Sequence, residues 1–462
     1  MTSSPVGREG RGAAVAPEGR EASGASDEER AADLSGSRRC PRIIHGVAHR
    51  KRGTPEFTLS GCRRIGTTGA IWASGTQRSE RYSADILYEG AHLGSAPAFS
   101  GACVSFTGLA AWAWEYTGLH RGIALKRTDD ATEARVTYKQ PEPITAVLGD
   151  SATLSLESSC DQRATLRAGR IREELRMRLS FSSQLGLSDI VSRYVLPLQN
   201  LLSLACDAPN AVSRFWLAVG EEWGRPVEAR LPWIYTGDEA ASATPSERLF
   251  GLEDVQGRFG DIVRKWQALH EEMAPAFAIY FGVSYRARLF TDTQLQLAVQ
   301  ALALYTKARD PEGTIPTIKH ELGDALLSLD DGKRALVMRL LEGHPVLAAE
   351  RAVGWAIARH GDVFKVMAAP DGKRFAGRLL NTLHYVYSRD RFDSLAVRGG
   401  ADFYHLGQQV RWLIKLCLLD ELGFSTEWRK ALLGRHPQAL WLAGRIGLQE
   451  EPEERLAARP GA

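Results

Sequence analysis

The chain has 462 residues, which is enough for two or three domains with separate hydrophobic cores. Hydrophobic residues make up 44% and charged residues 24%, as in an ordinary globular protein, which excludes a chain that is disordered throughout. The net charge is only +3, so no strong overall field attracts nucleic acid, and any basic surface must be local.

Cysteine usage and hydropathy exclude further classes. The six cysteines are scattered and include no Cys-x-x-Cys pair, which argues against a zinc site and against a disulfide framework. No run of about 18 apolar residues is present, so we expect no membrane span. Residues 1–39 lack the apolar core of a secretion signal. We therefore expect a cytoplasmic protein with reduced thiols.

Both ends of the chain are predicted to be tails. Residues 1–40 are rich in Gly, Ala, Ser, Glu and Arg and offer too little apolar surface to offset the chain entropy lost on folding. Residues 446–462 are charged and contain proline, and they are predicted to be a flexible end.

Residues 41–245 are predicted to be a β-rich domain because their apolar residues recur with a period of two. The clearest segment, Glu174–Phe181, alternates polar and apolar side chains as a half-buried strand does. One helix is expected after Ser188, ending near Ala205, with Pro197 kinking it or marking its start.

An aromatic-rich segment, Phe99–Leu119, lies within this β-rich part. It contains Phe106, Trp112 and Trp114 and predicts a strand that runs into a packed corner. A platform for stacked bases is the alternative, although no basic residues interleave the tryptophans.

Residues 249–445 are predicted to be helical because the apolar period changes to 3.6. Expected helices cover Leu252–Met273, a segment capped by Thr291, Gly372–Tyr387, and Phe403–Leu422 with Gly423 as its C-terminal glycine. Strands followed by helices predict an α+β fold with a β-rich N-terminal domain and an all-α domain after it.

Several catalytic motifs are missing from the sequence. It has no P-loop, no dinucleotide-binding glycine motif, no G-x-S-x-G elbow and no H-E-x-x-H. Acidic residues do not cluster as in a two-metal nuclease. We therefore expect neither a metal nor another cofactor.

The order of features along the chain resembles the Apea-like branch of the HEPN superfamily, which comprises bacterial anti-phage and abortive-infection proteins. Phe106, Leu109 and Trp112 look like the strand and L-x-x-W of that family. Residues 174–204 look like its strand and long apolar helix. The segment from Tyr404 to Phe424 is similar to its closing helix and LL-x-x-LG ending. The resemblance implies a β-rich sensor or binding domain followed by a HEPN-type helical domain.

HEPN nucleases carry an Arg-x4-6-His motif, and its chemistry needs no metal. A histidine with a near-neutral pKa can exchange protons with the RNA 2′-hydroxyl and the leaving oxygen. A guanidinium can stabilise the negative charge that builds up on the phosphate. Family members typically dimerise so that two motifs face one cleft.

Two registers of this motif are open. By count alone, Arg378 and His384 satisfy it. By alignment with the flanking helix, His384 follows the arginine position, Leu383 replaces the catalytic arginine, and Ser388 replaces the catalytic histidine. An acidic residue of the family would also be lost, near Ala303. The second register implies a degenerate motif, which His384 could rescue with Arg378, Arg389 or Tyr387.

The resemblance implies an RNA-directed protein of prokaryotic anti-phage defence, either a metal-independent endoribonuclease or a degenerate derivative. Its site residues would be His384, Arg378, Arg389 and Tyr387. The alternative is a catalytically inactive HEPN scaffold or sensor that acts through dimerisation or partner binding. Expected partners are RNA, a second copy of the chain and a phage-derived trigger or partner protein. Arg374 and Arg378 also fit an ordinary solvated helix face.

Overall fold

The computed structural model of the protein describes residues 42–47, 55–72, 75–117, 126–127, 134–135, 138–149, 151–164, 169–220, 223–224, 226–236, 245–286, 289–311, 313, 323–367, 372–388 and 399–444. The two predicted tails, 1–40 and 446–462, lie outside these ranges.

The chain forms two compact units. The described residues of the first unit belong to Met1–Thr107, Glu142–Ser192 and Ala211–Asp238. Those of the second belong to Gly108–Pro141, Arg193–Asn210 and Glu239–Ala462. The domain bounds predicted from the sequence, 41–245 and 249–445, remain predictions.

The strands have the following bounds: β1 (Ile43–Val47), β2 (Glu56–Ser60), β3 (Arg63–Trp72), β4 (Gly75–Ser83), β5 (Ile86–Glu89), β6 (Ala98–Phe106), β7 (Lys126–Arg127), β8 (Ala134–Arg135), β9 (Ile144–Leu148), β10 (Ala152–Ala164), β11 (Gly169–Gly186), β12 (Val212–Ala218) and β13 (Val227–Arg230). In the first unit, nine of them form an antiparallel sheet in the order β1-β2-β5-β13-β12-β6-β11-β10-β9. Strands β3 and β4 form a separate ladder there, and β7 and β8 form one in the second unit.

The predicted strand around Glu174–Phe181 is the middle of β11, which pairs with β10 from Ala152↔Phe181 to Ala164↔Gly169. One face of this region is buried because Leu175, Met177 and Leu179 alternate with polar residues on the other face. The alternation therefore predicted both the strand and its buried side correctly.

The helices have the following bounds: α1 (Leu109–Trp112), α2 (Leu187–Ile190), α3 (Leu196–Ala205), α4 (Phe259–Glu272), α5 (Ala274–Ser284), α6 (Thr291–Arg309), α7 (Gly323–Leu327), α8 (Asp331–Glu342), α9 (Pro345–Phe364), α10 (Gly372–Ser388), α11 (Gly400–Glu421) and α12 (Thr426–Arg435). The α+β prediction is confirmed. No helix within the described ranges is long and apolar enough to cross a membrane.

Local signals explain where several helices begin and end. Pro197 lies in the first turn of α3, directly after the π-helical turn Val191–Val195, so its missing N–H falls within a continuous helical stretch that the π-helical turn interrupts. The expected strand is present as β6, which ends at Phe106, and Trp112 is buried at the end of α1, whereas Trp114 is 44% exposed. Thr291 was predicted to be the N-cap, but Phe290 takes that position, so α6 begins at Thr291, one residue earlier than predicted.

The core of the second unit lies among α6, α9, α10 and α11. Helix α11 packs against α6 and α9, and α9 also packs against α6 and α10. Trp412, at the centre of α11, is fully buried. A bond from Gln409 Nε2 to the Met367 carbonyl, 2.7 Å long, ties α11 to the segment that follows α9. This packing decides which side of α10 faces solvent.

Candidate functional site

Helix α10 carries three of the four residues predicted to form the site. Its buried side consists of Phe375, Leu379, Thr382 and Leu383, which recur at helical spacing. His384 is exposed, one position beyond this buried stripe. The fourth residue, Arg389, lies outside the described residues.

Arg378 and His384 do not converge on one face of α10. The helix runs without a break from Gly372 to Ser388, so six residues separate the two side chains by about 120° around the axis and about 9 Å along it. Arg378 is half-buried, and its backbone carbonyl accepts a 2.6 Å hydrogen bond from the Thr382 hydroxyl. A site made of this pair would need groups from another part of the molecule or from a second copy.

Tyr387 lies one turn after His384, on the same side of the helix. Its side chain is exposed on one edge, while burial of the rest raises the pKa of the phenol above its ordinary value. The phenol is therefore neutral near pH 7, and it can donate a hydrogen bond without acting as a base.

The aligned register places the arginine position of the motif inside the core. Leu383 has no exposed surface, and neither has its neighbour Thr382. Ser388, at the position of the catalytic histidine in this register, is the last residue of α10. Its side chain lies outside the described part of the chain. Ala303, near the position where the family has an acidic residue, lies on α6 and is half-buried.

A charged cluster buried in the second unit was not predicted from the sequence. Nζ of Lys415 lies 2.6 Å from Oδ1 of Asp207, and Nε2 of His436 lies 3.4 Å from Oδ2 of the same carboxylate. The Lys415 ammonium also lies 4.2 Å from the centroid of the Trp412 ring. Asp207 follows α3 with a φ of 50°, a left-handed conformation that Asp adopts more readily than most residues. The pattern of apolar and polar residues in the sequence did not indicate this left-handed conformation.

A second missed feature is an arginine–tryptophan array on the polar face of the large sheet. The guanidinium carbons of Arg176 and Arg214 lie 5.1 and 5.6 Å from the Trp216 ring centroid, and that of Arg178 lies 4.8 Å from the ring of Trp223. Such distances fit cation–π contacts. The signal was present in the sequence, because Arg176, Arg178, Arg214 and Trp216 alternate with the buried residues of their strands.

Acidic residues offset the charge of this array. Glu174 lies 3.1 Å from Arg176 and 3.6 Å from Arg214, and Glu157 lies 3.4 Å from Arg178. Across the described ranges, no three His, Cys, Asp or Glu side chains are arranged to hold a metal ion.

The fold and these sites define an α+β protein with a large antiparallel sheet followed by helices. Residues 18–266 match the family model described as ApeA N-terminal domain 1, which is more than half of the chain. The chain therefore belongs to this family and is an ApeA-like protein, and this membership indicates an anti-phage defence protein of the ApeA type. The match ends within α4 and does not reach α10. No curated protein and no solved structure matches the chain.

Proposed function

We propose that the protein acts in anti-phage defence through a β-rich sensor and a degenerate HEPN-type helical module that no longer cleaves RNA. The module would serve as a dimerisation or RNA-binding scaffold. The observation that carries this proposal is the complete burial of Leu383. In the register that retains the flanking pattern, that position would need a guanidinium facing a phosphate.

Leucine at this position has a chemical consequence. An alkyl side chain cannot stabilise the charge of a pentacoordinate phosphate, and an isolated serine at the histidine position is a poor general base at neutral pH. The buried stripe of α10 gives Leu383 a packing role instead, beside Leu379. The exposed face with His384 and Tyr387 remains available for RNA or for a second copy of the chain.

Metal-independent RNA cleavage is the second candidate, and the exposure of His384 favours it. In that reaction His384 would take the proton from the 2′-hydroxyl as its oxygen attacks phosphorus. The bond to the 5′-oxygen would break as the protonated His384 gives its proton to that oxygen, and a 2′,3′-cyclic phosphate would remain. Arg378 or Arg389 would stabilise the charge, and Tyr387 would donate a hydrogen bond. Since Arg378 and His384 diverge on α10, the pair would have to form across a dimer.

Incubation of the purified protein with total RNA and a panel of tRNAs in EDTA separates the two candidates. The scaffold proposal expects intact RNA with the native chain and with Arg378→Ala, His384→Ala and Tyr387→Ala. Arg374→Ala is the matched control, because Arg374 is an exposed arginine of the same helix. Cleavage that survives EDTA and is lost in Arg378→Ala and His384→Ala, but not in Arg374→Ala, would establish the nuclease.

A phage infection assay covers the case in which cleavage needs a trigger. Cells expressing the native protein and the same variants are challenged with a panel of phages, and protection is scored by plaque counts. Protection that His384→Ala retains agrees with a non-cleaving scaffold. The scaffold proposal would be contradicted if His384→Ala abolished both protection and the 2′,3′-cyclic phosphate ends that phage infection produces in cellular RNA.

A further inference from the structure

A cleft opens within the large sheet because two neighbouring strands pair over only part of their length. Strands β12 and β13 pair at Trp216↔Glu228 and Leu217↔Val227, whereas Ala229 and Arg230 pair with β5. The chain after β13 rejoins β12 at a single parallel bridge, Val212↔Thr236. The gap has a volume of about 570 Å³, and all of its lining residues belong to the first unit.

The lining of the cleft combines apolar walls with two arginines. Phe215, Leu231 and Pro232 supply apolar surface, and Arg214 and Arg230 supply guanidinium groups. The arginine side chains are 46% and 57% exposed, and they lie 3.6 Å from Glu174 and 3.5 Å from Glu228. Charge-assisted hydrogen bonds are usually shorter, about 2.7–2.9 Å. An incoming phosphate could therefore engage both arginines without breaking tight ion pairs.

The segment that rejoins β12 carries two exposed aromatic residues at sequence positions between lining residues of the cleft. Trp233 and Tyr235 are 53% and 40% exposed, and they lie between the lining residues Pro232 and Thr236. Ile234, between them, is buried, and the Tyr235 carbonyl accepts a 3.0 Å hydrogen bond from the Val212 N–H. The segment is thus anchored at Ile234 and Tyr235, with Trp233 directed to solvent.

We propose that this cleft binds a nucleotide. Arg214 and Arg230 would hold its phosphate, and Trp233 and Tyr235 would stack on its base. The carboxylate of Glu228, which also lines the cleft, would accept a hydrogen bond from a ribose hydroxyl or a base amino group. The volume falls within the range of about 300–1,000 Å³ that small-molecule sites usually have. The ligand would be either a free nucleotide or the end of a single-stranded nucleic acid.

This inference deepens the sensing role in the proposed function. The test of the cleft measures ligand binding alone. Failure of nucleotide binding therefore does not decide whether the helical module is a non-cleaving scaffold, and failure of the scaffold proposal does not decide whether the cleft binds a nucleotide. Full-length protein is titrated separately with ATP, a short single-stranded oligoribonucleotide, inorganic phosphate and an oligoglutamate peptide, by calorimetry and tryptophan fluorescence. Saturable binding of ATP would assign a free nucleotide, and binding of the oligonucleotide alone would assign a strand end. Either result supports a nucleotide ligand.

Variants decide whether the binding occurs in this cleft. Arg230→Gln and Trp233→Ala are each expected to weaken binding roughly ten-fold or more. Arg63→Gln is the matched control, because Arg63 is an exposed, ion-paired arginine of the same unit and does not line the cleft. Circular dichroism of each variant establishes that it is folded.

Four outcomes would overturn the proposal. The first is no saturable binding of any nucleotide at millimolar concentration. The second is binding that Arg230→Gln and Trp233→Ala leave unchanged. The third is inorganic phosphate binding as tightly as ATP, which would remove the base from the recognition. The fourth is a clear preference for oligoglutamate, which would assign the cleft to acidic peptides.

Discussion

Lys415 and Asp207 form a buried ion pair between groups that are 208 positions apart in the sequence. Nζ of Lys415 lies 2.6 Å from Oδ1 and 2.8 Å from Oδ2 of the carboxylate, and the lysine side chain is only 2% exposed. Burial lowers the pKa of Lys415, and the nearby Asp207 carboxylate opposes this effect. The pair therefore joins α11 to the turn after α3 within the second unit.

Lys415→Met is expected to destabilise the protein, because it leaves Asp207 with His436 as its nearest basic group in a largely buried position. Removal of one partner of a buried pair costs about 3–5 kcal/mol. Urea unfolding measures the change in the free energy of unfolding. Lys430→Met is the control, since Lys430 pairs with Glu427 on the exposed surface of α12, and its loss should cost about 1 kcal/mol or less. Equal losses in the two variants would show that Lys415 contributes as a surface residue does.

The features that sequence predicted well depend on near neighbours in the chain. The alternation around Met177 predicts a half-buried strand because strand side chains alternate between faces whatever the partner strand is. Gly423 likewise marks the end of α11, because only the local backbone decides where a glycine is needed. The same local periodicity places Leu383 on the apolar stripe of α10.

Features that depend on distant pairing were not predictable in this way. The Lys415–Asp207 pair and the cleft between β12 and β13 both depend on which distant segments become neighbours. Periodicity carries no information on strand register, so the point at which β13 leaves β12 could not be foreseen. For the candidate site, the apolar periodicity predicted the helix, while the angle between Arg378 and His384 depends on that helix running without a break from Gly372 to Ser388.

The stability of the protein is expected to decrease as the pH falls from about 6.5 to 4. Burial first, and the Arg429 guanidinium second, lower the pKa of His360 to about 4, and burial lowers that of His270 to about 4. The unfolded chain binds a proton at each histidine below about 6.5, whereas the native state does not do so until about 4. Protonation at each of the two histidines therefore lowers the free energy of unfolding by up to about 3 kcal/mol as the pH falls from about 6.5 to 4.

His360→Gln tests the His360 share of this effect. Nδ1 of His360 accepts a 3.0 Å hydrogen bond from Arg429, and the glutamine amide oxygen offers another acceptor. Urea unfolding across the pH window should show a shallower dependence for this variant than for the native protein. His344→Gln, at an exposed histidine, should leave the dependence unchanged. An identical slope in all three proteins would contradict the assignment to His360.

Gly423→Ala is expected to lower the free energy of unfolding by about 1–2 kcal/mol, because Gly423 has a φ of +80° that disfavours a Cβ atom. Two hydrogen bonds hold this conformation, from the Gly423 N–H to the Asp420 carbonyl and from the Phe424 N–H to the Leu419 carbonyl. A Cβ atom there would lie 3.4 Å from the ends of two flexible side chains, so backbone strain is the main term.

Gly434→Ala is the control for Gly423→Ala and should have the opposite sign. Gly434 lies in the last turns of α12, its φ is not positive, and nothing lies within 4 Å of an added Cβ atom. Alanine should stabilise this helix by about 0.5–1 kcal/mol. Thermal unfolding of both variants would reveal the contrast, and a stabilised Gly423→Ala would disprove the strained cap.

Leu383→Arg restores the motif arginine in the aligned register, and it is expected to destabilise the protein instead of activating it. The side chain of Leu383 is fully buried, so the substitution places a guanidinium in an apolar site and should cost about 4 kcal/mol or more. Leu383→Met, which conserves volume, should cost less than about 1.5 kcal/mol. Denaturant unfolding is measured beside the EDTA cleavage assay, with Leu383→Arg also combined with Ser388→His. A folded double variant that cleaves RNA would contradict this prediction and would mean that this face of α10 can open toward a catalytic cleft, while it would agree with a native chain made inactive by Leu383 and Ser388.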